Sequence, residues 1–269
     1  VSSFCLPALP ASDHPELMSL AIKHAIVDRQ VSTVIFPDDV QTIEAGENAE
    51  PGTPEGRVSE IEVAPPHSSL NPATEVPREA SRPAIIGGHG ARFAMDDVTA
   101  LAEELKCPVL TTFKGKGIIG DSGGPHGGHP LGGGVLGRSG TPIASWFMNE
   151  SDVLLVLGAS LSNHTGITPK KPTIQVDLDR WHLGKTHPVD IPVWGEIGVT
   201  CREFLAELRG NHSAADHTEE IAERWRIWRE ETSSRLADDR GKGGSSIAVF
   251  DALNRLTPAD AILTVDVGN

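Results

Sequence analysis

Residues 82–112, RPAIIGGHGARFAMDDVTALAEELKCPVLTT, contain a strand, a glycine turn, a helix and the start of a second strand. Ala84, Ile85 and Ile86 form a short apolar run typical of a buried parallel strand, and glycines follow it at once. The next apolar positions fall on one helical stripe, which comprises Val98, Leu101, Ala102 and Leu105. The pattern predicts a βαβ unit, in which ligands bind where strand ends meet helix starts.

The composition restricts the class of protein. The chain has 269 residues, a formal net charge of −14 and a pI near 5.2. So acidic a chain argues against nucleic acid and anionic membranes as main partners. No apolar run approaches the roughly 18 residues of a transmembrane helix. Three widely spaced cysteines without a CxxC pair indicate a reducing compartment, and we expect a cytoplasmic protein.

Changes in composition divide the chain into five segments. Residues 1–41 contain a predicted helix and strand, and residues 42–81 form an acidic linker rich in proline and glycine. Residues 82–210 alternate strands with helices. A polar connector helix is predicted within 211–244. Residues 245–269 contain a helix and a predicted strand at 262–265, as if a further α/β domain began there.

The alternation over residues 82–210 predicts an α/β fold with a doubly wound, mostly parallel sheet. We expect about six strands between residues 84 and 194, with helices on both faces. Residues 111–140 contain twelve glycines and are expected to be irregular and functional. Thr141 and Pro142 then supply a capping hydroxyl and a proline at the first helical position. At the helix after the first glycine turn, Asp96 or Asp97 is the expected cap.

The first glycine turn matches a dinucleotide fingerprint only in part. Gly88 and Gly90 are present, but Phe93 stands where a third glycine would be, and the expected acidic residue at the end of the second strand is missing. An ordinary NAD site is therefore rejected. Lys114 and Lys116 follow that strand on a glycine loop, where they either contact a phosphate or are simply solvated.

Other polar residues are weaker candidates for a site. His126 and His129 form an HxxH pair without further ligands at suitable spacing, so mobile loop histidines are favoured over a metal site. Asp177 and Asp179 lie at a predicted strand end. A ligand role is favoured for Asp177, and helix capping for Asp179. No Ser-His-Asp or Cys-His arrangement can be defended.

An ordered set of phrases resembles the thiamine-diphosphate-dependent 2-oxo-acid enzymes, near pyruvate oxidase and acetolactate synthase. STVIFPDDVQ is similar to the end of the family's pyrimidine-binding domain, and AILTVDVGN to the start of its pyrophosphate-binding domain. Between them lie phrases similar to the central domain: RPAIIGGHGAR, TTFKGKG, HPLGGGVLGRSGT, SDVLLVLGASLSNHTG and TIQVDLD. Each phrase alone is weak evidence, whereas the ordered set is strong evidence and extends over most of the chain.

The resemblance implies that FAD lies along the strand ends of the central domain. With Lys114 added, the candidate cofactor-binding residues are Gly88, Gly90, Ala91, Lys114, Gly134, Val135, Leu136, Gly137, Gly158, Ala159, Ser160, Leu161, Ser162 and Asp177. The glycines would let the backbone approach the nucleotide, and Asp177 would accept a hydrogen bond from its ribose or adenine side. Glu196 departs from the aspartate that many members carry.

The resemblance further implies thiamine diphosphate and Mg²⁺ as cofactors of a parent enzyme. Their sites would lie outside this chain, which is therefore expected to be a fragment and is assigned no catalytic residue and no metal ligand. A small 2-oxo acid such as pyruvate is the expected substrate, and a homo-oligomer, dimer or tetramer, the expected assembly. Two alternatives are a non-catalytic nucleotide-binding or assembly module with an empty cleft, and an NAD-dependent deacylase. The absence of zinc cysteines counts against the deacylase.

Overall fold

A computed structural model describes residues 2–44, 52, 55–124, 127–166, 171–236, 245–258 and 260–264. The chain divides into two compact units, Val1–Ile61 and Glu62–Asn269. In the first unit, the parallel strands β1 (Phe4–Pro7) and β2 (Ser32–Ile35) are joined through α1 (His14–Val27), and α2 (Asp38–Gln41) follows. The predicted helix and strand of this unit are confirmed, whereas β1 and α2 were not predicted.

The second unit contains a six-stranded sheet in which every neighbouring pair is parallel. The strands are β3 (Pro83–Gly87), β4 (Val109–Thr111), β5 (Gly132–Val135), β6 (Val153–Leu157), β7 (Thr173–Asp177) and β8 (Ile191–Trp194). Their spatial order is β5-β4-β3-β6-β7-β8. The predicted doubly wound, mostly parallel α/β sheet is confirmed.

Helices cover this sheet in two groups. α3 (His67–Glu79) and α4 (Met95–Leu105) pack against α6 (Ile197–Leu208), whereas α5 (Pro142–Glu150) packs against α7 (Thr218–Leu236). Right-handed crossovers place α4 and α5 on opposite faces, because the chain moves across the sheet in opposite directions through them. The apolar stripe of α4 is fully buried, as its spacing predicted.

Helix α3 lies where the sequence predicted only linker. Leu70, Ala73, Thr74 and Pro77 form its buried face, at the spacing expected of an amphipathic helix. Two internal prolines, at positions 72 and 77, had made the stretch look irregular.

Two further predictions of local structure are wrong. The residue at the N-cap of α4 is Ala94, and Asp97 instead pairs with Arg202 at 2.7 Å. The strand predicted at residues 262–265 is not formed over residues 262–264, and residue 265 lies outside the described residues. The helix before it is present as α8 (Ser246–Leu256), and the Thr141 cap of α5 is confirmed by a bond from the Ala144 amide.

Candidate functional site

The order of the strands in the sheet reverses between β3 and β6, which are neighbours in space. Strands β4 and β5 lie on one side of β3, whereas β6, β7 and β8 lie on the other. In open parallel sheets, ligands bind outside the carboxyl ends of the strands, at such a reversal. The loops that follow β3 and β6 therefore flank the candidate site, which we call the switch crevice.

Glycines at the base of the switch crevice pack backbone against backbone. A Cβ on Gly88 would lie 2.1 Å from the Gly158 carbonyl oxygen, and one on Gly90 would lie 2.8 Å from the Gly158 Cα. The Gly90 amide also donates to the Gly158 carbonyl at 2.9 Å. The contact between the two loops therefore explains these glycines without any ligand.

The loop after β4 lies beside the loop after β3. The Thr112 amide donates to the Gly87 carbonyl at 3.1 Å, and a Cβ on Gly115 would lie 2.8 Å from the same oxygen. Lys114 and Lys116 are both exposed on this loop. The structure therefore places two cationic side chains on a loop that adjoins the switch crevice.

The exit from β5 is largely closed by its own neighbours. A Cβ on Gly134 would lie 2.3 Å from the Thr141 hydroxyl oxygen, and residues 135–136 are buried. Gly137 has a φ of +133°, and a Cβ on it would lie 2.6 Å from the His164 carbonyl oxygen. Gly137 is thus the residue of this group that meets the loop after β6, and it is half-buried.

Asp177 ends β7 with a buried carboxylate. Its Oδ1 accepts a bond from the Asp179 amide at 2.9 Å, and its Oδ2 lies 3.5 Å from Nδ1 of His182. Burial raises the pKa of Asp177, against the opposing effects of the Asp179 amide and His182. At 3.5 Å the contact with His182 is long for a hydrogen bond, which leaves Oδ2 able to accept one from a ligand hydroxyl.

The loop after β6 carries the remaining candidates. Ala159 and Leu161 are buried, Ser160 is half-buried and Ser162 is exposed. Leu161 has a φ of +52°, an uncommon conformation for a non-glycine residue. One residue of this site was not predicted from the sequence: Gln175 of β7, whose side chain donates to the Ala159 carbonyl at 2.9 Å. The available signal was a polar glutamine between the apolar residues Ile174 and Val176.

Comparison of the sequence with models of protein families identifies the family of this chain. The model for the central domain of thiamine pyrophosphate enzymes matches residues 70–208, which is more than half of the chain. The chain belongs to this family. The match includes all six strands of the central sheet and most of α3. Thiamine pyrophosphate is another name for thiamine diphosphate, so the predicted family is confirmed.

Individual relatives of this chain carry several names. A sulfoacetaldehyde acetyltransferase of Rhodobacter capsulatus is 30% identical over 233 residues, covering 77% of this chain and 38% of the relative. A probable acetolactate synthase large subunit of Methanocaldococcus jannaschii is 34% identical over 146 residues, or 52% of this chain and 24% of the relative. A pyruvate oxidase of Lactiplantibacillus plantarum is 26% identical over 274 residues, or 100% of this chain and 44% of the relative. The chain thus spans less than half the length of each.

Glu196, the departure noted from the family pattern, has a local role in the structure. Its Oε2 accepts a bond from the Val199 amide at 2.8 Å and so caps the first turn of α6. A carboxylate at this position satisfies an amide that would otherwise lack a partner, and it also suits the positive end of the helix. The longer glutamate therefore serves the cap that an aspartate could also provide.

The described ranges contain no group of three or more His, Cys, Asp or Glu side chains that could hold a metal ion. His126 lies outside those ranges. His129 is engaged locally, with Nε2 3.2 Å from a Glu103 carboxylate oxygen and Nδ1 accepting from the Leu131 amide. Among the residues that the structure describes, no helix is long and apolar enough to cross a membrane.

A small pocket lies at the opposite edge of the sheet, near the starts of β3, β4 and β6. Its empty volume is about 150 Å³, and it is lined by Arg82, Pro83, Pro108, Phe147, Ser151 and His217. Small-molecule sites are usually larger, at roughly 300–1,000 Å³. Its buried His217 contacts Glu220 and the Ser81 carbonyl. This pocket is therefore a packing feature beneath α7 and not a ligand site.

Asp177→Asn is expected to stabilise the chain at neutral pH. Since burial raises the pKa of the folded Asp177 above its unfolded value, the folded state binds the proton more tightly, and stability falls as pH rises through the folded pKa. The asparagine carries no charge and can still accept from the Asp179 amide. Urea unfolding between about pH 4 and pH 8 should show a gain that shrinks as pH falls. A loss of stability at neutral pH would mean that the bonds to the carboxylate outweigh its burial.

Proposed function

We propose that this chain forms the central part of a thiamine-diphosphate-dependent enzyme that acts on a 2-oxo acid such as pyruvate. The observation that carries the proposal is the family match over residues 70–208, which contains the complete parallel sheet. Relatives named acetolactate synthase and pyruvate oxidase support this substrate class. Because the chain spans less than half of each, the activity is proposed for the whole protein.

We also propose that the switch crevice binds FAD or a related adenine nucleotide. The support is chemical. Asp177 has a carboxylate oxygen available to a ribose hydroxyl, and Lys114 is an exposed cation suited to a diphosphate. When bound, FAD supplies an acceptor for electrons, while the chain binds and orients it. Gly88, Gly90, Gly134 and Gly158 contribute by letting the surrounding loops close.

The remaining parts of the proposal concern the whole protein. No residue of this chain is assigned to thiamine diphosphate or Mg²⁺, and none is assigned a catalytic role. A cytoplasmic location is supported by three free cysteines, of which Cys107 and Cys201 are buried. Assembly into a homo-oligomer is supported by the exposed apolar side chains of α8, among them Val249, Phe250 and Leu253.

Titration with FAD tests the nucleotide proposal. The purified 269-residue chain should bind FAD saturably, and Asp177→Asn should weaken binding about tenfold or more, since a hydrogen bond to a charged group contributes roughly 1.5–3 kcal/mol. Asp190→Asn is the matched control. Asp190 accepts from the Thr173 amide at the amino end of β7, far from the strand ends in question. Its replacement should leave FAD affinity within about twofold of the unmodified chain.

The alternative function is a non-catalytic assembly module with an empty cleft. The close packing of Gly88 against Gly158 is the observation in its favour, because that packing fills the base of the crevice. Failure of the unmodified chain to bind either FAD or ADP would support the alternative. Equal binding by Asp177→Asn would instead place the nucleotide elsewhere on the chain.

A further inference from the structure

Gln175 is a buried polar side chain whose hydrogen bonds all reach loop backbone. It is 1% exposed in the middle of β7. Its Nε2 donates to the carbonyls of Ala159 and His182, both at 2.9 Å, and its Oε1 accepts from the Gly184 amide at 2.8 Å. One side chain thus joins the loop after β6 to the loop after β7.

A second, independent bond joins the same two loops. The Thr186 hydroxyl donates to the Ser160 carbonyl at 3.2 Å, and Thr186 is exposed. The consecutive carbonyls of Ala159 and Ser160 are therefore both held by groups from β7 or the loop that follows it. Two adjacent peptide units of the loop after β6 thereby acquire fixed orientations.

Peptide geometry determines where the opposite sides of those units point. The structure contains no cis peptide bond in its described residues, and in a trans peptide the carbonyl and the following amide point in opposite directions. The amides of Ser160 and Leu161 are thus turned away from the β7 loop. Both amides belong to the loop after β6, which flanks the switch crevice.

These two amides are donors with no acceptor in the described part of the chain. Among the described residues, neither the Ser160 nor the Leu161 amide bonds to a backbone or side-chain group. Leu161 also has its φ in the left-handed region, a conformation that occurs where successive amides converge to form an anion-binding concavity. Unpaired amides of this kind favour a diphosphate or a similar anion.

We propose that Gln175 is a positioning residue for nucleotide binding, which acts by fixing the Ser160 and Leu161 amides as donors to the ligand's diphosphate. Thr186 fixes the second of the two peptide units. The inference rests on the proposed nucleotide function and names the part of the ligand that the β6 loop contacts. Gln175 itself touches no ligand.

The test compares FAD affinity in variants of the 269-residue chain. Gln175→Met keeps the side-chain length but removes all three bonds, and it should weaken FAD binding about tenfold or more. Thr186→Val removes only the bond to Ser160 and should weaken binding about threefold, whereas Thr186→Ser keeps the hydroxyl and should restore it. Thr186 is exposed, so its variants keep the proposal falsifiable if Gln175→Met does not fold.

Thr173→Val is the matched control for lost stability. Thr173 is buried in the same strand, and its hydroxyl donates to the Lys171 carbonyl at 2.9 Å at the amino end of β7. The valine should lower stability and leave FAD affinity within about twofold. If Thr173→Val and Gln175→Met weaken FAD binding equally at equal loss of stability, Gln175 is a packing residue only and the proposal is overturned.

Hydrogen–deuterium exchange separates this inference from the proposed function. In the ligand-free chain, Gln175→Met should accelerate amide exchange in the loops after β6 and β7, and Thr173→Val should not. If the unmodified chain and Gln175→Met bind FAD equally well, the positioning role of Gln175 is contradicted, while the proposed nucleotide binding stands. If the unmodified chain binds neither FAD nor ADP, the proposed function fails, and the binding role of Gln175 fails with it.

Discussion

Gly158→Ala should destabilise the second unit by about 4 kcal/mol. Gly158 has a φ of +63°, which an alanine adopts only with strain of roughly 1–2 kcal/mol. The new Cβ would also lie 2.6 Å from the Ala91 amide nitrogen and 2.7 Å from the Gly90 Cα, and overpacking of a rigid core adds roughly 1–3 kcal/mol. Both contacts are with backbone, so no side chain can move aside to relieve them.

Gly210→Ala isolates the packing part of that effect. Gly210 has a φ of +64°, nearly the same as Gly158, but nothing lies within 4 Å of the position of its Cβ. Only the backbone strain should remain, at about 1 kcal/mol. Chemical unfolding followed by tryptophan fluorescence measures both variants, because all five tryptophans lie in residues 62–269. Equal losses in the two variants would contradict the loop packing described at the crevice.

Trp225→Ala should destabilise the same unit by about 3–5 kcal/mol, the usual range for truncating a buried tryptophan. Trp225 is 5% exposed on α7, and its Nε1 donates to the Gly132 carbonyl of the edge strand β5 at 2.7 Å. A Cβ on Gly134 would lie 3.2 Å from its ring. Truncation therefore leaves a cavity over β5 and removes one of two bonds to the Gly132 carbonyl, which still accepts from the Ser122 amide at 3.2 Å.

Trp181→Ala is the control, because it removes a tryptophan side chain that is exposed to solvent. Trp181 is 86% exposed in the loop after β7, and its truncation should change stability by no more than about 0.5 kcal/mol. Trp225→Phe keeps most of the apolar contact but loses the bond to Gly132, and should fall between the two at about 1–3 kcal/mol. If Trp225→Ala proves as mild as Trp181→Ala, α7 is not anchored on β5.

The main sheet was predictable because its strands carry strong local signals. β6 is five buried apolar residues in a row, and α4 has a single apolar stripe, so periodicity alone identifies both. β5 was missed because its sequence is GGGV. Glycine disfavours strands locally, and this edge strand is supported by Trp225 and Leu110, which pack over glycines that have no side chains of their own.

The candidate site was predictable only in outline. Asp177 could be placed at a strand end from the sequence, since TIQVDL predicts a strand, which the structure forms as Thr173–Asp177. The glycines were ambiguous, because a residue without a side chain can make room for a ligand or for another loop. At Gly88 and Gly90 the folded structure shows another loop. The partners of Gln175 were beyond prediction, since they depend on how two loops distant in sequence fold back over β7.

A crystal structure of the chain grown with FAD tests the central claim most directly. We expect density for the nucleotide in the switch crevice, with a ribose hydroxyl within hydrogen-bond distance of Asp177 and the diphosphate at the amides of Ser160 and Leu161. FAD bound away from the carboxyl ends of β3, β6 and β7, or a crevice left empty at saturating FAD, would contradict the claim.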